Sequence, residues 1–493
     1  MRKTRLMTAL TAGAMLMSLM TGCGAGTGTG ENTADVKLDP SNPVSLTIWH
    51  YYNGAQQAAF DELVQEFNAT VGKEKGIYVE GYSQGSVVDL ETAITDSVEE
   101  KVGSQPMPDL FSTYADTAYG VQQQGKLADL NAYFTEEELS EYVESYIQEG
   151  HFNDDGALYL FPVAKSTEIM MMNATDWVPF AEATGSTIDE LKTLEGITAV
   201  AERYYDWTDA QTPDVPDDGK AFYGRDSMAN YFIIAMKQMG IDIFDVKDGE
   251  VTIQADKTAI RRLWDNYYVP FVKGHFNSLG KFRSDDVKTG DILAYTGSTS
   301  SSMYFPDEVV LESGSTPIDY MVLPAPIMEG GEAYQVQQGA GMAVTKSDEQ
   351  HEYAACEFLK WFTAAENNLR FVCESAYLPV RLDANSVEMV DKIAAEPEIN
   401  VNPKAHDCLA NVLERYNDVT FYAMKSFNNA YASRKVLDYN LADKAVADRA
   451  AIDEAVAGGV SRDEAVASYI ADDAFEAWYE EFVAALEGAA HNA

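Results

Sequence analysis

Aromatic and hydroxyl-bearing side chains are concentrated in four short segments of the sequence. These segments are 49–52 (WHYY), 112–114 (STY), 165–168 (KSTE) and 297–301 (GSTSS). Aromatic rings stack on the apolar faces of a sugar-like ring, and hydroxyl groups form hydrogen bonds with its edges. The combination is typical of a site that binds a neutral polar solute, and it requires no covalent chemistry.

The four segments occur where predicted strands end. The predicted strands include the short apolar runs 44–49, 77–82, 109–114 and 291–296. Amphipathic stretches at 56–68 and 90–102 are predicted to be helices. Strands that alternate with helices predict an α/β fold with a parallel sheet and crossover helices. Ligands of such sheets bind at the carboxyl ends of the strands, where the four segments are expected.

The sequence lacks the spacing of a metal or cofactor site. Its six histidines are scattered without the spacing of zinc ligands. The acidic run 214–218 (DVPDD) lacks the alternating oxygen ligands and the glycine of an EF-hand loop, which favours a solvated turn. No HExxH motif occurs. We therefore predict no metal, no cofactor and no catalytic residues.

The charge of the chain narrows the range of partners. The formal net charge is −44, from 35 basic and 79 acidic residues. Phosphate backbones are bound through a basic surface, so this balance argues against nucleic acid as a partner. It fits a soluble protein that resists association.

The N-terminus has the pattern of an export signal. Three basic residues precede an apolar stretch that is too short to span a bilayer. Residues 19–23 (LMTGC) resemble a bacterial lipobox, in which the peptidase cuts before the cysteine and a lipid such as palmitate is attached to it. We therefore expect a signal peptide at 1–22, lipidation of Cys23 and a flexible tether at 23–44, with the protein held on the outer face of the cell membrane. The alternative is an ordinary secretory signal with a chance cysteine.

Three further cysteines are Cys356, Cys373 and Cys408. Because their number is odd, at most one disulfide bond can form within the chain. Cys356 lies on an apolar helix face and is predicted to be a buried free thiol.

Several motifs occur in an order that is similar to that of a known family. They are 46–50 (LTIWH), 66–68 (EFN), 161–173 (FPVAKSTEIMMMN), 288–295 (KTGDILAY), 338–344 (QGAGMAV) and the helix 353–362 followed by 375–381 (SAYLPVR). The chain resembles the type 1 group of bacterial extracellular solute-binding proteins, the lipid-anchored receptors of ABC importers. The resemblance extends over most of 45–485.

The resemblance implies a two-lobe fold of the periplasmic-binding-protein type. Each lobe is α/β, crossing strands join the lobes, and the ligand is bound in the cleft between them. By analogy, the first lobe comprises 45–165 and 318–368, and the second comprises 166–317 and 369–487. A hinge motion would close the lobes on the solute, and a membrane permease would recognise the closed form.

Within the group, the chain looks closest to receptors for glycerol-3-phosphate and glycerophosphodiesters. When their ligand contacts are carried over by position, they fall on Ser166, on one serine of the turn (Ser298 or Ser300), on Gly339 and on Tyr377.

Other contacts of those receptors are not retained. An acidic residue falls at Ala115, with Asp116 as its neighbour, and an aromatic residue falls near Ser86. The phosphate-binding arginine falls near Lys425 or Ser426. Because a phosphate dianion needs charge-assisted donors, these departures favour a neutral carbohydrate or polyol.

Four further side chains complete the predicted site. Trp49 and Tyr51 are expected to stack on the solute, as Tyr377 does. Arg225 and Asp226 are candidates for additional contacts from the second lobe; alternatively, they pair with each other. Lys165 and Lys425 are expected to be solvated.

Three alternative functions differ from a carbohydrate receptor in what they require of the sequence. A receptor for glycerol-3-phosphate or a glycerophosphodiester is the alternative within the same class. A secreted glycan-active hydrolase would need two carboxylates ~5–9.5 Å apart, and a chain with 79 acidic residues always contains such a pair somewhere. A surface adhesion module is disfavoured, because such modules are commonly all-β.

Overall fold

The structure is a computed structural model that describes residues 36–491, apart from 154, 216, 248, 398 and 400. The predicted signal peptide 1–22 and the lipidation candidate Cys23 lie outside the described residues, as does the tether up to residue 35. No helix within the described range is both long and apolar enough to cross a membrane.

The described chain alternates between strands and helices, which confirms the predicted α/β class. The strands are β1 (Val44–His50), β2 (Ile77–Ser83), β3 (Leu110–Thr113), β4 (Phe161–Pro162), β5 (Glu168–Asn173), β6 (Tyr223–Arg225), β7 (Phe244–Lys247), β8 (Glu250–Ile253), β9 (Ala294–Ser298), β10 (Glu308–Leu311), β11 (Gly314–Pro317), β12 (Tyr320–Pro324), β13 (Tyr334–Val336), β14 (Gly341–Val344) and β15 (Thr420–Tyr422).

The helices pack on both sides of these strands. They are α1 (Gly54–Ala69), α2 (Val71–Lys75), α3 (Val87–Val98), α4 (Ala115–Gln123), α5 (Glu136–Leu139), α6 (Glu144–Gln148), α7 (Ala174–Thr184), α8 (Leu194–Asp209), α9 (Met228–Gln238), α10 (Lys257–Lys273), α11 (Arg283–Thr289), α12 (Glu349–Phe362), α13 (Ala365–Cys373), α14 (Val387–Ala394), α15 (Pro403–Leu413), α16 (Ala430–Ala457), α17 (Arg462–Val466) and α18 (Asp472–His491). Short 3₁₀ turns occupy Leu130–Ala132, Ile188–Lys192 and Thr299–Tyr304.

The first large sheet has the order β2-β1-β3-β14-β4. Strand β1 is parallel to both β2 and β3, as the alternation of strands and helices predicts. Strand β14 runs antiparallel to β3 and β4. The sheet is therefore mixed and not purely parallel as predicted. Strand β14 enters it after the chain has passed through the second sheet.

The second large sheet has the order β12-β5-β9-β6. All six residues of its central strand β5 (EIMMMN) are buried, as expected for a strand that is covered on both faces. Strand β5 is antiparallel to β9 and β12, whereas β6 is parallel to β9. The two large sheets provide two separate supports for the loops at their ends.

The chain passes from the first sheet to the second between Pro162 and Glu168, and it is back in the first sheet at Gly341. Residues 318–368 were assigned to the first lobe, but β12 pairs with β5 of the second sheet in the register Tyr320↔Asn173. Residues 369–487 are predicted to belong to the second lobe. Phe371 of α13 contacts Phe60 of α1 beside the first sheet, whereas Asn411 of α15 donates to the carbonyl of Val322 in β12 of the second sheet. The lobe boundaries stay a prediction.

Two large hydrophobic cores pack against the sheets, and the first of them also includes Ile169 and Met171 of β5 in the second sheet. The first contains an aromatic group in which Phe60, Phe362 and Phe371 contact one another edge to face or at a tilt. The second contains Trp264 and Trp478, whose ring centroids lie 4.9 Å apart. Such close packing makes each half a rigid support for residues that project between the sheets.

The remaining cysteines are buried and free. Cys356 is 0% exposed, as predicted for a buried thiol. Burial raises the pKa of Cys373 and of Cys408 to about 12, so both thiols stay protonated and unreactive near neutral pH.

Candidate functional site

A cavity of about 500 Å³ lies between the loops of the two large sheets. Its wall includes the start of α4, which follows β3 of the first sheet, and the turn that follows β9 of the second sheet. Residues from α3, α9 and α16 complete the wall. The size is that of a typical small-molecule site, for which volumes of roughly 300–1,000 Å³ are usual.

The predicted residues Ser166, Ser298, Ser300, Gly339 and Tyr377 all line this cavity. They come from four separate parts of the chain. Ser298 ends β9, and isolated bridges between Ser166 and Gln338 and between Lys165 and Leu378 bring the other segments together. The hydroxyl oxygens of Ser298 and Ser300 are 3.0 Å apart, so the turn after β9 presents a pair of hydroxyls.

The crossing segment forms one wall of the cavity. The backbone N–H of Ser166 donates to the carbonyl of Gln338 at 2.8 Å, and the N–H of Gln338 donates back to the carbonyl of Ser166 at 3.0 Å. Gly339 has φ +106°, and a β-carbon there would lie 2.8 Å from the carbonyl oxygen of Ala164. Glycine is thus required for the two segments to approach each other beside the site.

Tyrosine rings form an aromatic wall. Tyr114, Tyr377, Tyr422 and Tyr431 line the cavity. Tyr51 lies behind this wall and is stacked on Tyr114, with ring centroids 6.5 Å apart and an interplanar angle of 13°. Burial raises the pKa of both Tyr51 and Tyr377, so each is a neutral phenol that can donate or accept a hydrogen bond.

Trp49 does not reach the cavity, although it was predicted to bind the solute. Its side chain is 5% exposed and packs with Leu90 and Ile94 of α3. Side chains alternate along a strand, so Trp49 and its neighbours in β1 face different sides of the sheet. Trp49 is therefore a residue of the hydrophobic core and not of the cavity wall.

Two carboxylates face the cavity without a basic partner. Asp116 lies in the first turn of α4, where the helix dipole favours negative charge, and it accepts a hydrogen bond from Ser426 at 3.1 Å. Glu91 of α3 accepts one from Thr117 at 3.3 Å. Neither forms an ion pair within the described chain. Burial raises the pKa of both groups, although Arg434 opposes this effect at Asp116.

A third carboxylate, Glu149, is neutralised by Lys165. The Lys165 Nζ lies 2.7 Å from Glu149 Oε2, and it also donates to the carbonyl of Gly339 at 2.9 Å. Lys165 was expected to be solvated, but it is only 1% exposed. The expectation was wrong because the segment that carries Lys165 crosses between the sheets and not over the surface.

Arg225 and Asp226 lie away from the cavity and do not pair with each other. The Arg225 guanidinium is buried and donates to Glu168 at 2.8 Å. Asp226 accepts the backbone N–H of Arg283 at 2.9 Å. Arg225 therefore pairs with Glu168, at the start of β5, and not with Asp226. The two groups of this pair are buried together, where the Coulomb attraction is strong.

Several lining residues were missed by sequence reasoning. They are Asn230 of α9, Gln337 and Gln338 after β13, Tyr422 at the end of β15, and Tyr431 and Arg434 of α16. Tyr114 lay within one of the aromatic and hydroxyl segments, and Asp116 was noted only as a neighbour of Ala115. The other residues lie in or beside helices and strands whose patterns carry no binding signal, so only their tertiary neighbours identify them.

One catalytic-looking spacing occurs near the site. Residues 81–85 read Gly-Tyr-Ser-Gln-Gly, which matches the GxSxG spacing of a nucleophile elbow. Ser83 is the last residue of β2, and its hydroxyl lies 3.4 Å from the carbonyl of Tyr52. Within the described chain no histidine forms a hydrogen bond with Ser83. The geometry of a base-activated serine is therefore not assembled there.

This architecture matches a known protein family and several solved structures. A family model described as "Bacterial extracellular solute-binding protein" matches residues 62–401. The fold resembles a cyclic α-maltosyl-1,6-maltose binding protein from Arthrobacter globiformis, with a TM-score of 0.63, 19% identity and coverage of 92% of this chain and 100% of that chain.

Two further solved structures share the fold. One is a Mycobacterium tuberculosis protein in complex with glycerophosphocholine, with a TM-score of 0.61, 16% identity and coverage of 90% of this chain and 99% of that chain. The other is an ABC substrate-binding protein from Listeria monocytogenes in complex with cycloalternan, with a TM-score of 0.58, 18% identity and coverage of 90% and 98%.

Proposed function

This chain belongs to the bacterial extracellular solute-binding protein family, and we propose that it captures a neutral carbohydrate or polyol in the cavity and delivers it to an ABC permease. The solved structures with this fold include receptors described with cyclic maltosyl-maltose and with cycloalternan. Their ligands are carbohydrates, which supports the same class here.

One observation carries the proposal. The cavity combines tyrosine rings with the hydroxyl pair of Ser298 and Ser300 and with two carboxylates, Glu91 and Asp116, that form no ion pair among the described residues. Rings supply stacking surfaces, and carboxylates are strong acceptors for the hydroxyl groups of a sugar. A neutral polyhydroxylated solute satisfies both without adding charge to a strongly acidic protein.

A glycerophosphodiester is the second candidate, and Arg434 favours it. Arg434 lines the cavity from α16 and would supply the guanidinium that the sequence lacks near Lys425 or Ser426. Guanidinium groups are well suited to phosphate oxygens. Against this candidate, Asp116 and Glu91 lie on the same cavity and repel an anion.

We infer that binding, not catalysis, is the activity. The family consists of solute-binding proteins, and among the described residues no histidine is hydrogen-bonded to Ser83. A glycan-active hydrolase would release new reducing ends from its substrate, which a reducing-sugar assay on the purified protein would detect.

Calorimetry against a ligand panel tests the proposal. The panel contains maltose, maltotriose, cycloalternan, glycerol, sn-glycerol-3-phosphate and glycerophosphocholine. We expect at least one carbohydrate or polyol to bind, and a ligand at 100 times its dissociation constant to stabilise the fold by about 2.7 kcal/mol. Binding confined to the phosphate compounds would replace the carbohydrate assignment with the second candidate.

Export and anchoring form the cellular part of the proposal. We propose that the mature protein begins at Cys23 and is held at the outer face of the membrane by lipid on that residue. Cys23→Ala is expected to release the protein or to leave it unprocessed, as mass spectrometry of the membrane fraction can show. A mature N-terminus without lipid at another residue would contradict the anchor and leave the ligand assignment untouched.

Closure of the two lobes is the expected response to ligand. The cavity wall is built from both sheets, so a solute that contacts both sides favours the closed arrangement. Small-angle scattering with the ligand found in the panel should show a smaller radius of gyration and an unchanged circular dichroism spectrum. An unchanged radius at saturation would contradict the hinge.

A further inference from the structure

The Arg434 guanidinium is the basic group that lines the cavity with spare hydrogen-bonding capacity. A guanidinium has several N–H donors, and Arg434 uses one of them to donate to Asn230 Oδ1 at 2.5 Å. Within the described chain, no carboxylate lies within ion-pair distance of Arg434. The remaining donors are available to acceptor atoms of a bound molecule.

The side chain of Asn230 is fixed by hydrogen bonds to its neighbours. It is 2% exposed and lies in the first turn of α9. Its Nδ2 donates to Glu168 Oε1 at 2.9 Å and to Gln338 Oε1 at 3.0 Å. With both donors engaged, the side-chain amide has one orientation, and that orientation directs Oδ1 toward Arg434.

Glu168 is itself held by a buried ion pair. Its second oxygen accepts from Arg225 at 2.8 Å, and both side chains are at most 7% exposed. The Arg225 guanidinium also lies over the Tyr231 ring, 5.1 Å from its centroid. A continuous hydrogen-bonded series therefore runs from Arg225 through Glu168 and Asn230 to Arg434.

We propose that Asn230 is a positioning residue that holds the Arg434 guanidinium in the cavity, with Glu168 and Arg225 as its buried anchor, so that Arg434 donates to an oxygen acceptor of the ligand. The series gives Arg225 a role behind the site, where it does not touch the ligand. The inference rests on the proposed function only in assuming that this cavity receives the ligand. The acceptor is a sugar oxygen or a phosphate oxygen, depending on the ligand class.

The first test needs no ligand. Arginine labelled with ¹³C and ¹⁵N is incorporated into the full chain, and the signal of Arg434 is assigned with Arg434→Lys. Rotation about the Nε–Cζ bond of Arg434 should be slow in the wild type and clearly faster in Asn230→Ala. The matched control is Asn266→Ala, because Asn266 is also a buried helical asparagine, bonded to Thr198 and to the Arg262 carbonyl away from the cavity. Equal rotation rates in wild type and Asn230→Ala would overturn the proposal.

The second test uses maltotriose and glycerophosphocholine as separate probes in calorimetry. For a probe that binds, Asn230→Ala and Arg434→Ala should each weaken affinity about tenfold or more, as expected for a charge-assisted hydrogen bond. If Asn230 acts through Arg434, adding Asn230→Ala to Arg434→Ala should cause no further loss. Losses that multiply in the double variant would overturn the positioning role.

The two tests separate the two claims. If neither probe binds the wild type, these ligand assignments fail, while the rotation rates still decide whether Asn230 positions Arg434. If a probe binds and Arg434→Ala leaves its affinity unchanged, the donation from Arg434 to the ligand is refuted even where the rotation rates differ.

Discussion

Lys165 and Glu149 form a buried ion pair of 2.7 Å at the wall of the cavity, with side chains that are 1% and 9% exposed. The lysine lies in the segment that crosses between the sheets, and the glutamate follows α6. Gln337 also donates to the same Glu149 oxygen, at 2.5 Å. The pair therefore ties the crossing segment to the first sheet and to residues that line the site.

Removing Lys165 should destabilise the fold strongly. Lys165→Met leaves Glu149 buried without its counter-charge, which is expected to lower the free energy of unfolding by about 3–5 kcal/mol. Urea unfolding measures the change. The control is Lys192→Met, which breaks a pair with Asp189 that is 65% and 83% exposed and should cost about 1 kcal/mol or less. Adding Glu149→Gln to Lys165→Met should recover part of the loss; no recovery would mean that the pair is not the cause.

Tyr377 and Trp49 should differ in what they do. Tyr377→Ala removes a ring from the cavity wall and is expected to weaken ligand binding by about tenfold or more. Trp49→Phe changes a residue of the core behind α3 and should leave the dissociation constant within about twofold while lowering the melting temperature. Calorimetry and thermal unfolding of both variants give the comparison. A binding loss in Trp49→Phe that matches Tyr377→Ala would place Trp49 in the site after all.

Asp116 should discriminate between the ligand classes. If the ligand is a neutral sugar, Asp116→Asn removes a charged acceptor and should weaken binding about tenfold to a hundredfold. If it is sn-glycerol-3-phosphate, the same change removes a repulsive charge and should tighten binding. Lys425→Ala is the control, because Lys425 does not line the cavity and should matter little for a sugar. Tighter binding of the phosphate compound, with no sugar bound, would decide for the second candidate.

Acid should weaken the fold through His50. Burial lowers the pKa of His50 to about 4 from 6.5, so the native ring stays neutral while the unfolded chain takes up a proton below about pH 6.5. Stability from this group is therefore complete above pH 6.5 and is lost as the pH falls toward 4.

The measurement compares wild type with His50→Gln in urea at pH 7 and pH 5. The wild type should have a larger free energy of unfolding than His50→Gln, and this difference should be about 2 kcal/mol smaller at pH 5 than at pH 7. The size follows because each pH unit between the folded and unfolded pKa values corresponds to about 1.36 kcal/mol. His275→Gln should show the same trend, since burial lowers the pKa of His275 to about 3. If the difference in free energy of unfolding between wild type and each variant is the same at pH 7 and pH 5, neither ring is held neutral in the folded protein.

Much of the fold was predictable from the sequence. The apolar run VSLTIWH indicates the strand β1. Phe60, Leu63 and Phe67 share one buried face of α1, and their spacing predicts that helix. Both patterns depend only on neighbours along the chain. The antiparallel placement of β14 and β12 was not predictable, since it depends on where the chain returns after a long excursion.

The same division holds at the candidate site. Ser166, Ser298, Ser300 and Tyr377 were identified because they resemble the contact positions of related receptors and because two of their segments follow strands. Arg434 and Asn230 lie on helices, where one polar residue resembles any other until its neighbours are known.

Local periodicity in the sequence thus encodes the α/β class and places three of the hydroxyl and aromatic segments, 49–52, 112–114 and 297–301, at the ends of strands. The pairing of the charged side chains depends instead on tertiary contacts. The tertiary structure paired Arg225 with Glu168 and Lys165 with Glu149, and it left Arg434 and Asp116 facing the cavity. The physical reason is that the state of a charged side chain depends on burial and on partners that are distant in sequence, and no spacing along the chain records either.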